Sequence, residues 1–318
     1  MHLVETMAYS DERPWHGLGN RLAPQQSIET WKQQTGMDWQ IDESEVRYIT
    51  GSNNVGISNA FPEQKVLYRS DTKAPLAVVS KRFQVVQPGE ILEFYRDLTA
   101  YSGFELETAG VLRAGRKFWA LARTGQSTTL RGRDNVDGYL LLATACDGTL
   151  ATTAQFTSVR VVCNNTLSIA LGNASGAIKV PHRSQFNPEA VKRQLGITVS
   201  SWDGFVARMK ALCERPVDPD SAEGLLRRVL TYAGPEGKHA VVNEQALANV
   251  RYLYEGGGRG ALMASSRGTA WGLLNSVTEY VDHHRRARSE DHRRDESWFG
   301  QGAQIKQRAW DEVMKLVA

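Results

Sequence analysis

The stretch Thr152–Leu167, TTAQFTSVRVVCNNTL, decides the fold class of this chain. Its apolar residues alternate with polar ones, which is typical of a β-strand with one buried face. The two asparagines near its end are favourable N-cap residues, and they predict a short helix over 166–171. A helix N-terminus presents free N–H groups to an anion, so Arg160, Asn164 and Asn165 form a candidate phosphate site. The alternative is that the asparagines only cap the helix.

This stretch lies in a region that is almost free of acidic residues. No Asp or Glu occurs over 148–188 or over 108–133. Across 108–188 nine Lys and Arg residues face three acids, a local balance of +6 in a chain whose net charge is +3. Segregated positive charge favours a polyanionic partner such as a nucleic acid. The depletion of acids also fits a plain β-rich segment, since strands generally contain few Asp and Glu.

The densest basic segment is a predicted hairpin of strands 104–112 and 117–123. Single-strand-binding proteins combine a positive groove with aromatic faces on which bases stack. Phe118 and Trp119 stand beside the basic residues, and alternation predicts that only one of the two faces the core. The other reading is a solvated basic hairpin. The candidate phosphate contacts of this region are Arg113, Arg116, Lys117, Arg123, Arg131, Arg133, Lys179 and Arg183.

The remaining patterns predict an α+β fold. Strands over 65–69 and 76–80, a helix from Pro88, and a second hairpin of 136–146 and 149–163 across an Asp147-Gly148 turn give the order ββ-α-ββ-ββ-α. We expect an antiparallel sheet core with a packed helix, followed by a helical C-terminal region. The predicted organisation is an N-terminal arm (1–60), an α+β core (61–187) and a helical region (188–318). A helix is also predicted from the N-cap Ser27 to Thr35, and the predicted C-terminal helices are 188–213, 221–232, 243–255, 269–288 and 302–317.

The helical region holds two further candidate sites. The glycine-rich loop 256–260 and the segment 265–268 place Arg259 and Arg267 where a backbone approaches phosphate closely, although a flexible connection is the plainer interpretation. Glu279, Asp282 and His283 share one face of the helix over 269–288 and are candidate ligands for a divalent metal. The alternative for these three is a buried or inter-subunit hydrogen-bond network.

Composition excludes several function classes. The chain is 41% hydrophobic and contains no run of about 18 apolar residues, so no membrane span is expected. Three cysteines without a C-x-x-C pair favour a reducing cytoplasm, and the first residues do not read as a signal peptide. No G-x-x-x-x-G-K-[ST] motif occurs, which argues against an ATPase motor.

Three motifs carry a resemblance to a known family: residues 14–19 (PWHGLG), 157–167 (TSVRVVCNNTL) and 268–283 (GTAWGLLNSVTEYVDH). They resemble the phage/plasmid-like protein family, a domain of unknown function on mobile elements. The order of the core elements and the charge pattern are similar to the single-strand annealing recombinases of phages (Red-beta, Erf) and eukaryotes (the Rad-type annealers). That similarity implies a sheet, a packing helix and a basic groove that holds single-stranded DNA on an oligomeric ring.

The sequence therefore predicts a single-stranded DNA-binding protein of phage or plasmid origin, working as a homo-oligomeric ring or filament in annealing or recombination. Annealing needs neither ATP nor a cofactor, so we expect no enzyme activity. The first alternative is a metal-dependent nuclease that uses Glu279, Asp282 and His283. The second is a host-interaction (anti-defence) protein whose positive face meets an acidic protein.

Overall fold

A computed structural model of the chain describes residues 4–10, 19–51, 56–160, 165–168, 177–199, 202–233 and 240–317. The strands in these ranges are β1 (Val4–Ser10), β2 (Asn20–Leu22), β3 (Ile41–Thr50), β4 (Ile57–Arg69), β5 (Pro75–Ser80), β6 (Glu105–Leu112), β7 (Lys117–Leu130), β8 (Asp134–Ala145), β9 (Thr152–Arg160), β10 (Asn165–Ser168), β11 (Ala177–Val180), β12 (Thr231–Ala233) and β13 (Ala240–Val242). The α-helices are α1 (Ile28–Thr35), α2 (Pro88–Glu93), α3 (Arg96–Tyr101), α4 (Pro188–Val199), α5 (Trp202–Glu214), α6 (Pro219–Leu230), α7 (Glu244–Tyr252), α8 (Ala270–Glu279), α9 (Glu290–Phe299) and α10 (Gln301–Met314). Two π-helical segments, Leu253–Gly257 and Tyr280–His284, follow α7 and α8.

The main sheet has the strand order β10-β9-β8-β7-β6-β1-β2, and β11 pairs with a second part of β9. Strand β6 pairs antiparallel with both β1 and β7, whereas β1 and β2 are parallel. Strands β3, β4 and β5 form a separate antiparallel sheet, and β12 and β13 form a short hairpin. The expected α+β class with antiparallel sheets and a helical C-terminal region is confirmed.

The chain divides into two compact units. The first holds the described residues within 1–125, 140–155 and 177–196, and the second holds those within 126–139, 156–176 and 197–318. Strands β7, β8 and β9 therefore contribute residues to both. The predicted domain boundaries at 60 and 187 stay predictions.

Local sequence explains the helices that pack in the first unit. The hydroxyl of Ser27 accepts a hydrogen bond from the N–H of Thr30, and Gly36 ends α1 in the left-handed region, as the N-cap pattern predicted. Pro88 opens α2, and the neighbouring Tyr95 is fully buried. Its hydroxyl lies 3.0 Å from the carbonyl oxygen of Ala120 and 2.9 Å from that of Leu140, which fixes the helix pair against the sheet.

The second unit is built around α8, whose ten residues are all buried. A helix that is covered on every side must lie at the centre of its layer. Helices α5 and α10 pack around it, and the rings of Phe205 and Trp310 stack with their centroids 5.4 Å apart. In the described part of the chain, no helix is long and apolar enough to cross a membrane.

Several predicted elements are wrong. Residues 165–168 form strand β10, paired antiparallel with β9, instead of opening a helix, because pairing with an existing sheet edge satisfies their backbone groups. The Asp147-Gly148 turn is a longer loop over 146–151, in which Gly148 but not Asp147 has a positive φ. Helix α9 was missed because its sequence is very polar, and the helix predicted from Pro88 is two short helices.

The prediction that only one of Phe118 and Trp119 faces the core is also wrong. Both are buried, at 0% and 1% exposure, as are all residues from Lys117 to Ala122. A strand buried on both faces reads as a continuous apolar run, and alternation then carries no information on orientation.

Candidate functional site

Exposed cations collect in the first unit where the ends of several strands meet. The amide of Cys146, just after β8, donates to the carbonyl oxygen of Arg116 in the β6–β7 turn, at 2.9 Å. On the other side of the β8–β9 loop, the carbonyl oxygen of Leu150 lies 2.9 Å from Nε2 of His182. The carbonyl oxygen of His182 in turn accepts from the amide of Gln84, at 2.6 Å. These contacts join the β6–β7 turn, the β8–β9 loop and the segments that follow β5 and β11.

Four exposed basic residues occupy these joined segments, and Lys179 stands beside them near the end of β11. We call the five residues the basic loop cluster: Lys81, Arg82, Arg116, Lys179 and Arg183. None of the five forms an ion pair with another described residue. Asp147 lies in the same group of loops, where its carboxylate accepts from the amide and hydroxyl of Thr149. The cluster is therefore a net positive surface whose charges are open to a ligand.

An aromatic pair stands among these charges. The rings of Phe83 and His182 stack with centroids 4.3 Å apart and an interplanar angle of 18°. Both side chains are half-buried, and Gly148 lies near the ring of Phe83, which a side chain at that position would contact. Half-exposed rings beside unpaired cations are the combination on which single-strand binders stack bases.

The backbone holds Arg116 in place through a strained turn. Arg113, Ala114 and Gly115 have φ values of 56°, 54° and 87°, so three successive residues are left-handed. A Cβ at Gly115 would lie 3.2 Å from Arg69 and Trp39, a tight contact that together with the positive φ favours glycine here. Left-handed non-glycine residues persist only where the surroundings fix them, and such strain is concentrated at functional sites.

The side chains that pack against this turn include the charged Arg69. The guanidinium of Arg69 lies 4.1 Å above the ring of Trp39, a cation–π contact. It pairs with the carboxylate of Asp71 at 2.8 Å and with Glu5, and the hydrogen bond from Arg69 holds the pKa of Asp71 well below its usual range. Arg69 is consequently neutralised and buried, and it adds no free charge to the basic loop cluster.

Four of the cations predicted to contact phosphate along the β6–β7 hairpin and its end are buried, half-buried or paired with an acid. Lys117 is 3% exposed, because β7 is covered on both faces, and Arg113 is half-buried. Arg123 pairs with Glu107 at 2.8 Å, and Arg131 pairs with Glu214 at 2.5 Å. Acids that are distant in the sequence thus neutralise cations that seemed free by local composition.

Other candidate residues are dispersed. Arg133, Arg259 and Arg267 are exposed and belong to the second unit, whereas the basic loop cluster belongs to the first. Arg160 and Asn165 are paired residues at the ends of β9 and β10. No helix begins at Asn165, so the predicted helix N-terminus is absent there, and phosphate binding by Arg160 and Asn165 stays a prediction. Asn164 and residues 14–18 of the first motif lie outside the described residues.

The candidate metal ligands are engaged within the helical unit. Both carboxylate oxygens of Glu279 lie 3.0 Å from the backbone amide of Arg259 and accept its hydrogen bond, which anchors the glycine-rich loop instead of leaving it a free connection. Asp282 accepts from the ammonium of Lys306 at 2.9 Å and from the hydroxyl of Ser297, with all three side chains buried. His283 is half-buried. Among the described residues, no group of three or more His, Cys, Asp or Glu is placed to hold a metal ion.

Sequence reasoning missed Lys81, Arg82 and the Phe83–His182 pair. The signal was the run Lys81-Arg82-Phe83 directly after a predicted strand, which places two cations and a ring on one loop. Their proximity to Arg116 and Arg183 depends on sheet topology, which local patterns do not reveal.

The fold and the site define an α+β protein whose main sheet carries a basic loop cluster at one end. The chain belongs to the family described as Domain of unknown function (DUF932), whose model matches residues 75–298. The basic loop cluster lies within the matched residues, whereas β1 to β4 precede them. The expectation of an uncharacterised family is confirmed. No curated protein and no solved structure matched the chain.

Proposed function

We propose that this protein binds single-stranded DNA through the basic loop cluster. The observation that carries the proposal is the presence of five exposed cations, without ion pairs among the described residues, around the half-exposed Phe83–His182 stack. The phosphates of the strand would bind to these cations, while one or more of its bases stack on the rings of Phe83 and His182. No base-specific pocket is invoked, so sequence preference should be weak.

The charge of the cluster sets the expected salt dependence. Neutralising five phosphates of a single strand gives a slope of about −3.5 for the logarithm of the binding constant against the logarithm of salt concentration. Binding should therefore weaken by about 100-fold when monovalent salt rises fourfold. A hydrophobic or shape-based interaction would show a much smaller change.

We further propose that binding serves single-strand annealing or recombination in a protein of phage or plasmid origin. Successive antiparallel hairpins with a helix pair on the sheet support this proposal, since the annealing recombinases combine the same parts. The proposed mechanism is non-enzymatic and uses no cofactor: a strand is held by its phosphates, and the bases that do not stack on Phe83 and His182 remain free to pair. The protein would act in the cytoplasm as a homo-oligomer.

The test is fluorescence anisotropy with a labelled single-stranded oligonucleotide, beside a duplex of equal length, over a series of salt concentrations. The variant Arg116→Glu/Lys179→Glu removes two of the five contacts and should reduce the salt slope by about 1.4. The control Arg21→Glu/Lys210→Glu changes net charge equally at two exposed residues without ion pairs in the described part. Arg21 lies on β2, about 24 Å away from β9 by strand spacing.

We expect tight, salt-dependent binding that favours the single strand, weakened in the cluster variant with the smaller salt slope and kept in the control. Equal loss in both variants would mean that only net charge matters, and the assignment to the cluster would fail. No binding at low salt would remove the nucleic-acid proposal and leave an acidic protein as the partner. A nuclease assay with Mg²⁺ and Mn²⁺ and metal analysis of the purified protein test the metal-dependent alternative separately.

A further inference from the structure

The three-stranded sheet exposes an unusual amount of apolar surface. Its long β3–β4 hairpin extends beyond β5, and we call residues 46–50 and 57–61 the β3–β4 arm. Within it Ile49 is 77% exposed, Ile57 64%, Tyr48 50% and Phe61 40%. Single exposed apolar residues are ordinary, but a contiguous set on one element marks an interaction surface.

The two faces of the arm differ in character. Val46 lies opposite Phe61 across the hairpin, and Thr50 lies opposite Ile57. Opposite residues share a face, so Val46, Tyr48, Ile57 and Phe61 make one face apolar. The other face of β3 carries Glu45, Arg47 and the exposed Ile49.

One edge of the arm is open to strand pairing and the other is blocked. Strand β3 pairs with no other strand than β4 in the described part of the chain. The side chain of Gln87 covers the backbone N–H and carbonyl of Ile41 at the start of the outer edge, and no other strand covers the edge beyond it. The free edge of β4 carries Pro62, which lacks an N–H and interrupts pairing. Natural proteins protect long exposed edges with proline, lysine or a bulge, and β3 contains neither proline nor lysine. The β3–β4 ladder shifts register between Glu45 and Val46, but the extra residues of this shift lie on β4. The contrast points to β3 as an edge that is covered in use.

The charge order along β3 identifies the partner. Glu43 and Glu45 precede Arg47 on the same face, so the strand is acidic at its start and basic further on. The guanidinium of Arg47 donates to the hydroxyl of Ser58 on β4 at 3.0 Å and lies 3.3 Å from Glu45, which holds both charges on one face of the sheet. A strand with this order is complementary to its own antiparallel copy.

We propose that the β3 edges of two copies of this chain pair antiparallel about Val46, so that two protomers share one continuous sheet. In this register Glu45 stands opposite Arg47 of the partner subunit, and Tyr48 stands opposite Ser44 of the partner subunit. The two-fold axis repeats both contacts, as in any isologous interface. Pairing also extends the apolar face of the arm across both subunits. The inference does not depend on DNA binding, which uses other residues.

Charge reversal tests this register directly. Arg47→Glu places a negative charge at position 47 opposite Glu45 of the partner subunit, and the two-fold axis repeats this repulsion. Glu45→Arg places two positive charges opposite each other in the same way. Each variant should weaken the dimer by about 30-fold. The double variant Glu45→Arg/Arg47→Glu restores both pairs and should dimerise like the unchanged protein. An equimolar mixture of the two single variants should form a heterodimer, because each pair is then again of opposite charge.

The assay is sedimentation velocity over a micromolar dilution series, with circular dichroism to confirm that every variant is folded. Arg21→Glu is the matched control and should leave the dimer unchanged. A monomer at all concentrations would overturn the proposal, and so would a dimer that is unaffected by Arg47→Glu, since the contact would then lie elsewhere. Oligonucleotide binding measured on the same preparations separates failure of this inference from failure of the proposed function.

Discussion

Replacing Lys306 by methionine should destabilise the helical unit by about 3–5 kcal/mol, because it removes a buried cation from its carboxylate partner. The ammonium of Lys306 is 2.9 Å from Asp282 and 3.0 Å from the hydroxyl of Ser297. The side chains of Lys306 and Asp282 are only 6% and 7% exposed. Methionine keeps most of the volume, so the loss reports the charge and not a cavity.

The size of this stability loss follows from the unpaired Asp282 carboxylate that Lys306→Met leaves buried. A buried carboxylate that has lost its ammonium keeps the cost of leaving water without the attraction that offset it. Asp282→Leu should cost a similar amount for the converse reason. The double variant should cost about 2 kcal/mol less than the two single losses together, and this difference is the coupling energy of the pair.

Urea unfolding followed by tryptophan fluorescence measures all four proteins of this cycle. Arg228 and Glu312 form an exposed pair at 2.7 Å, in which the arginine side chain is 60% exposed, and breaking it should cost under about 1 kcal/mol. Additive losses in the Asp282–Lys306 cycle would refute the buried pair. Stabilisation of the unchanged protein by Mg²⁺ or Mn²⁺, increased in Lys306→Met, would instead support a metal at Asp282.

Three further outcomes are expected. Gly272→Ala should be strongly destabilising, because its new Cβ would lie 1.9 Å from a backbone oxygen, whereas Gly204→Ala, with no atom within 4 Å, should stabilise α5 by up to about 1 kcal/mol; thermal unfolding compares the two. Burial raises the pKa of Cys146 to about 12, so alkylation at neutral pH followed by mass spectrometry should leave its peptide unmodified unless urea is added. A hydrogen bond from Arg96 lowers the pKa of Glu93 from 4.5 to about 2, and its stabilising effect is therefore present above pH 4.5 and lost as the pH falls towards 2. Glu93→Gln should cost under about 1 kcal/mol at neutral pH, since the carboxylate is 39% exposed, and the difference should vanish in acid urea titrations.

Local signals in the sequence predicted the elements whose ends are set by local chemistry. Ser27 caps α1, Pro88 opens α2, and the β6–β7 hairpin turns at Arg113–Arg116 as expected. In each case the residue that sets the boundary acts on backbone groups a few positions away, so the pattern contains the cause.

Non-local contacts decided the elements that the sequence did not predict. Asn165 has the chemistry of an N-cap, yet pairing with β9 overrides that preference. Arg123 and Arg131 look free in an acid-poor segment, but Glu107 and Glu214 reach them in three dimensions. Local composition therefore identified a basic region correctly, but it did not show which of its cations are free of ion pairs.

The proposed DNA site and the proposed dimer edge lie close together. Lys81 of the basic loop cluster also lines a groove of about 580 Å³ beside Glu45 and Phe61 of the three-stranded sheet, so the proposed DNA site adjoins the proposed dimer edge within one unit. A two-fold axis at Val46 would present two clusters related by that axis. Complementary DNA strands are antiparallel and are related by the same kind of axis, so one dimer could hold both partners of an annealing reaction in equivalent environments. Annealing by the charge-reversed Arg47→Glu monomer should then fall even where its binding to one strand is unchanged.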